Sequence, residues 1–90
     1  MVFQAYERID GNSAPLLQDE LVGLIANGER DLTVDFSATK YVSSAGLRAV
    51  LTAHKEMANV GGSFVLCGVS ATLKEILDVT GFSGFLTFMD

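Results

Sequence analysis

Asp31-Leu32-Thr33-Val34-Asp35-Phe36, a short loop, and then Tyr41-Val42-Ser43-Ser44-Ala45-Gly46-Leu47 decide how this chain folds. In the first piece Leu32, Val34 and Phe36 alternate with Asp31, Thr33 and Asp35, the period of a strand with one apolar face. In the second, two serines stand immediately before a run in which Leu47, Val50, Leu51, His54, Met57 and Ala58 recur at helical spacing. The chain therefore turns from strand into helix at Ser43-Ser44, with the helix running from Leu47 to about Val60. A helix N-terminus favours negative charge. A serine there either caps the helix or is a place where a phosphate is added and removed, and the residues alone leave both readings open.

Working outward, Val2 to Arg8 alternates loosely and is expected to form a strand. Asp10-Gly11-Asn12-Ser13 gives a turn with helix-start chemistry, and Pro15 falls in the first helical turn. Leu16, Leu17, Leu21, Leu24 and Ile25 mark an amphipathic helix over Ala14 to Ala26, stopped by Asn27-Gly28. On the other side, Gly61-Gly62 ends the second helix. Ser63 to Cys67 is an almost wholly apolar strand, as expected where both faces are covered. Ser70 can cap a third helix over Ala71 to Val79, with Leu73, Ile76 and Leu77 inward. Gly81-Phe82-Ser83-Gly84 breaks the chain, and Phe85 to Phe88 forms a short closing strand. Strands alternating with helices over short connections predict an α/β domain, with parallel strands joined by right-handed crossovers.

Ninety residues give one domain, and 49% hydrophobic residues with a single proline argue against disorder. A net charge of -5 argues against nucleic acid or an anionic membrane as the main partner. No apolar run approaches the roughly 20 residues that cross a bilayer. The N-terminus lacks the regions of a signal peptide. The expected setting is the cytoplasm. Cys67 is the single cysteine, which excludes an internal disulfide and argues against a cysteine-built metal site.

Enzyme chemistry finds little footing. His54 is the single histidine. A Ser44-His54-Asp35 triad fails on geometry: ten helical residues at about 1.5 Å each put the two side chains roughly 15 Å apart. Neither a dinucleotide fingerprint nor a P-loop occurs, and the 11 carboxylates are scattered without the spacing of a calcium loop. Asp10 fits an Asx-turn as well as any binding role. Gly46 disfavours the first helical turn by roughly 1 kcal/mol relative to alanine, which makes sense where another protein's surface must approach the backbone.

The pattern resembles the anti-sigma factor antagonist family, built on the STAS domain. The resemblance runs from Arg8-Ile9-Asp10 to Phe88. It rests on Leu32-Thr33-Val34-Asp35-Phe36-Ser37, on Tyr41-Val42-Ser43-Ser44-Ala45-Gly46-Leu47, and on Gly61-Gly62 followed by Ser63-Phe64-Val65-Leu66-Cys67-Gly68-Val69-Ser70. It implies a small, mostly parallel sheet with helices packed against it, and a partner-switching regulator rather than an enzyme. An anti-sigma factor that is also an ATP-dependent serine kinase would be bound and then released by phosphorylation. A PP2C-type phosphatase would reset the cycle, and this chain would hold no cofactor or metal. The alternative is a STAS adaptor without a phosphorylation cycle.

By the same resemblance, Ser44 is the phosphate acceptor, with Ser43 a competing one. Asp10, Ser43, Ala45, Gly46, Leu47 and Arg48 fall on the partner-binding positions, and Arg48, one turn on, can face a phosphate at Ser44. Three departures stand out. Ser43 replaces the aspartate of several members. Only nine residues precede Asp10, where the family has two strands, and no final helix follows the last strand. The domain thus reads as shortened at both ends, with an exposed sheet edge suited to weak self-association.

Overall fold

A computed structural model describes residues 1–81, 84 and 86–89. Four short strands, β1 (Val2–Gln4), β3 (Asp31–Asp35), β5 (Ser63–Cys67) and β6 (Thr87–Phe88), form one sheet in that order. Two more, β2 (Arg8–Ile9) and β4 (Tyr41–Val42), pair separately, and every pairing is parallel. The helices are α1 (Ala14–Ala26), α2 (Ser44–Asn59) and α3 (Ala71–Thr80). The α/β reading holds, with α1 and β5 at their expected bounds. Of the predicted closing strand, Thr87–Phe88 is a strand and Leu86 is not. Phe82, Ser83, Phe85 and Asp90 lie outside the described residues.

The main sheet steps in one direction, β1 to β3 to β5 to β6. Right-handed crossovers that always step the same way place every helix on the same face. The burial pattern agrees: Leu32, Val34, Phe64 and Leu66 point into the helical layer and are buried, while Thr33, Asp35, Val65 and Cys67 on the other face are half-buried. This corrects the expectation that β5 is covered on both faces. Its apolar run reflects a one-sided strand whose outer positions happen to be Val65 and Cys67.

Val2 to Arg8 is not one strand. The chain leaves the main sheet after Gln4, and Arg8–Ile9 pairs in register with Tyr41–Val42. Two strands, where one was expected, therefore fit within the first nine residues. Helix faces are also narrower than the periodicity suggests. In α1, Leu17, Leu21 and Ile25 are buried at i, i+4, i+8, while Leu16 is 60% exposed. α2 packs against α1 and the sheet, burying the small residues Ala49 and Ala53 as well as Leu47, Val50 and Met57; Leu47 and Val50 meet Phe36, Leu66, Leu73 and Leu77. Leu51 and His54 are half-buried and Ala58 is exposed. In α3, Leu73 and Leu77 are buried and Ile76 is exposed.

Candidate functional site

The small β2–β4 pair builds the site. β2 leads into α1 and β4 into α2, so pairing Ile9 with Val42 makes the two helices begin side by side. Ser43 N–H donates to the Ile9 carbonyl at 2.8 Å, which extends the pairing to the last residue before α2. This device was missed in the sequence because two-residue strands show no alternation. Its only trace there is an apolar residue, Ile9 or Val42, directly before each helix-start turn.

Gly46 explains how tightly the helix sits on that pair. A Cβ added at Gly46 would lie 2.6 Å from Ile9 Cγ2 and 2.9 Å from Val42 Cγ1. The close approach inferred from this glycine is real, but the approaching surface is the chain's own β2–β4 pair. Gly46 and Leu47 are both buried and face inward, so neither offers a side chain to a partner.

The two serines have different environments. Ser43 is extended, with φ -82° and ψ 171°, and its Oγ accepts the Gly46 N–H at 3.1 Å. It is the N-cap, satisfying one of the helix's free donors. Ser44 is the first helical residue and is exposed. Among the described residues its hydroxyl has no hydrogen-bond partner. Ala45 is half-buried beside it, and Arg48 is exposed one turn along. Ala45 and Arg48 line a shallow groove whose other wall is Gly11, Ala14, Gln18 and Asp19.

Asp10 belongs to the neighbouring turn and is used by it. Its Oδ1 accepts the N–H groups of Asn12 at 2.9 Å and Ser13 at 3.0 Å, and Arg8 Nε donates to Oδ2 at 3.1 Å. The Ser13 N–H bond, then that of Asn12, then Arg8 hold the Asp10 carboxyl below the usual carboxylate range. Ser13 Oγ in turn accepts the Asp10 N–H and donates to the Arg8 carbonyl. The Asx-turn reading is thus what the geometry bears out. Arg8 also stacks over the Tyr41 ring, 4.4 Å from its centroid, tying β2 to β4.

Other signature residues have similar structural work. Asp35 Oδ1 accepts the Ser37 N–H at 2.8 Å, forming the turn out of β3. Gly68, at φ +65°, passes so close that a Cβ would lie 2.6 Å from that oxygen. Ser70 caps α3, its Oγ accepting the Leu73 N–H at 3.1 Å. His54 stands edge-on to Phe64, with centroids 5.9 Å apart, well along α2 from Ser44. Among the described residues no cluster of His, Cys, Asp and Glu could hold a metal ion, and no helix is long and apolar enough to cross a membrane.

The profile of the STAS domain matches residues 1–90. This chain belongs to the STAS domain family. Over 74 residues it is 35% identical to BtrV of Bordetella bronchiseptica, named as an anti-sigma factor antagonist; the match covers 82% of this chain and 64% of that protein. It is 33% identical over 78 residues to the anti-sigma-B factor antagonist of Bacillus subtilis, covering 87% of this chain and 71% of that one. This STAS domain therefore spans less than two thirds of BtrV's length.

Solved structures share the fold. The anti-sigma factor antagonist SpoIIAA in its unphosphorylated form superposes with a TM-score of 0.80 at 20% identity, covering 99% of this chain and 77% of that one. The phosphorylated form of the Bacillus cell fate determinant SpoIIAA gives 0.77 at 18% identity, covering 99% and 81%.

Proposed function

We propose that this STAS domain is an anti-sigma factor antagonist that binds an anti-sigma serine kinase through the face around Ser44 and is released when Ser44 is phosphorylated. The observation that carries this reading is the division between the serines: Ser43 is engaged as the cap, and Ser44 presents an exposed hydroxyl at the helix start. The kinase's ATP gives its γ-phosphoryl group to Ser44 Oγ. ADP leaves, and the hydroxyl proton goes to a base on the kinase. A PP2C-type phosphatase hydrolyses the ester and resets the cycle.

Electrostatics makes the modification a switch. A phosphate adds about -1.5 to -2 charges at pH 7. At the first residue of α2 the helix dipole accepts that charge. Pressed against a partner without a counter-ion, the same charge is penalised by several kcal/mol. About 3 kcal/mol is enough to weaken binding more than a hundredfold. The fold survives and the interface does not.

The test is incubation with the cognate kinase and ATP, followed by mass spectrometry of wild type, Ser43→Ala and Ser44→Ala. Wild type and Ser43→Ala should gain one phosphate, and Ser44→Ala none. A wild type that binds the kinase yet stays unmodified would overturn the switch in favour of a fixed STAS adaptor.

A further inference from the structure

We infer that Arg48 closes on a phosphate at Ser44, so that the modified helix start holds its own phosphate as an intramolecular ion pair. This deepens the reading above and rests on Ser44 as the acceptor.

Among the described residues, four of the five other cationic side chains are already engaged, and the fifth, the exposed Lys55, lies about two turns beyond Arg48 along α2, away from Ser44. Arg8 pairs with Asp10 and stacks on Tyr41. Lys40 lies 3.9 Å from Glu7. Arg30, at the far end of α1, donates to the carbonyls of Ile25 and Glu29, and Lys74 on α3 faces Asp78. Arg48 makes no ion pair among the described residues, although Asp19 lines the same groove. It is exposed and four residues beyond Ser44 on the same helix.

Helical side chains lean toward the N-terminus, so a residue at i+4 covers the surface over residue i. An anion at i with a cation at i+4 is also the better of the two orientations along a helix. A phosphate offers three acceptor oxygens to the guanidinium fork, against two for Asp19, and carries more charge. Phosphorylation then changes the face twice. It adds an anion, and it withdraws the one free cation of that turn from any partner.

The test uses full-length protein with phosphoserine installed at position 44 during synthesis, so it needs no kinase. Phosphorus NMR follows the second ionisation of the phosphate, which ordinarily falls near pH ~6. The midpoint in the wild-type background should lie about 0.3 pH unit below that in Arg48→Ala, the shift expected from one extra unit of charge in a pair of this spacing. Arg48→Lys should restore part of the shift, and Asp19→Asn should leave it in place. Equal midpoints in wild type and Arg48→Ala would overturn the inference. A kinase that fails to modify Ser44 would overturn the proposed function and leave this result untouched.

Discussion

Gly46 and Ile9 are in contact across the start of α2, with only 2.6 Å between Ile9 Cγ2 and the place where a Gly46 side chain would begin. The β-branched Ile9 cannot swing aside, because its Cβ is itself 3.3 Å from that point. Gly46→Ala therefore sets a helix-propensity gain of about 1 kcal/mol against overpacking of about 1–3 kcal/mol. Overpacking is expected to win by up to about 2 kcal/mol, lowering the melting temperature by roughly 4–8 °C for each kcal/mol. Gly23, inside α1, has nothing within 4 Å of its added Cβ. Gly23→Ala should accordingly stabilise the protein by about 0.5–1 kcal/mol. Thermal melts that move both variants the same way would contradict this account.

The serine pair should separate by stability as well as by modification. Removing the Ser43 cap in Ser43→Ala is expected to lose about 1 kcal/mol in urea denaturation. Ser43→Asp should stay within a few tenths, since aspartate caps as well as serine. Ser44→Ala should change stability by less than about 0.5 kcal/mol. Equal losses for Ser43→Ala and Ser44→Ala would make Ser44 a structural residue.

Much of this architecture is legible in the sequence because it rests on local chemistry. Ser70 reads as a cap, a cap is one of the two readings of the Ser43-Ser44 pair, and Ser43 and Ser70 both accept the N–H three residues on. Asp10 fits an Asx-turn as well as a binding role, and its carboxylate is bound by that turn. What escaped is non-local. The pairing of Ile9 with Val42 joins residues far apart in the chain through strands too short to carry a period. The same blindness misassigned Gly46, whose neighbour Ile9 is close only through that pairing. Leu16 and Ile76 fit the helical period but lie outside the narrow stripe of α1 and of α3 that meets the core.

A sheet covered on one face makes adjacent residues of β5 differ sharply. Leu66 is 1% exposed beneath the helices, while Val65 is on the open face. Leu66→Ala should lose about 2–5 kcal/mol. Val65→Thr keeps the β-branched shape and should change stability by no more than about 0.5 kcal/mol. A loss of several kcal/mol for Val65→Thr in denaturant titrations would mean that the outer face is covered.

Asp10 should leave its mark on acid stability. Hydrogen bonds from the Ser13 and Asn12 N–H groups, with Arg8 next, favour its ionised form in the folded protein and depress its pKa. A carboxyl depressed on folding stabilises the protein above its unfolded value, about pH 4. That contribution fades as pH falls through the lower folded value, where the native state must also take up the proton. Asp10→Asn keeps an oxygen for the two turn N–H groups and removes the titration. At pH 6 the variant should melt below wild type, because it lacks the charge that Arg8 and the N–H groups bind. As the pH is lowered past 4 the two melting curves should converge. Asp35 titrates in both proteins and cancels from the difference. A gap that stays constant from pH 6 down to strong acid would show that the Asp10 charge contributes nothing to the turn that sets α1 beside Ser44.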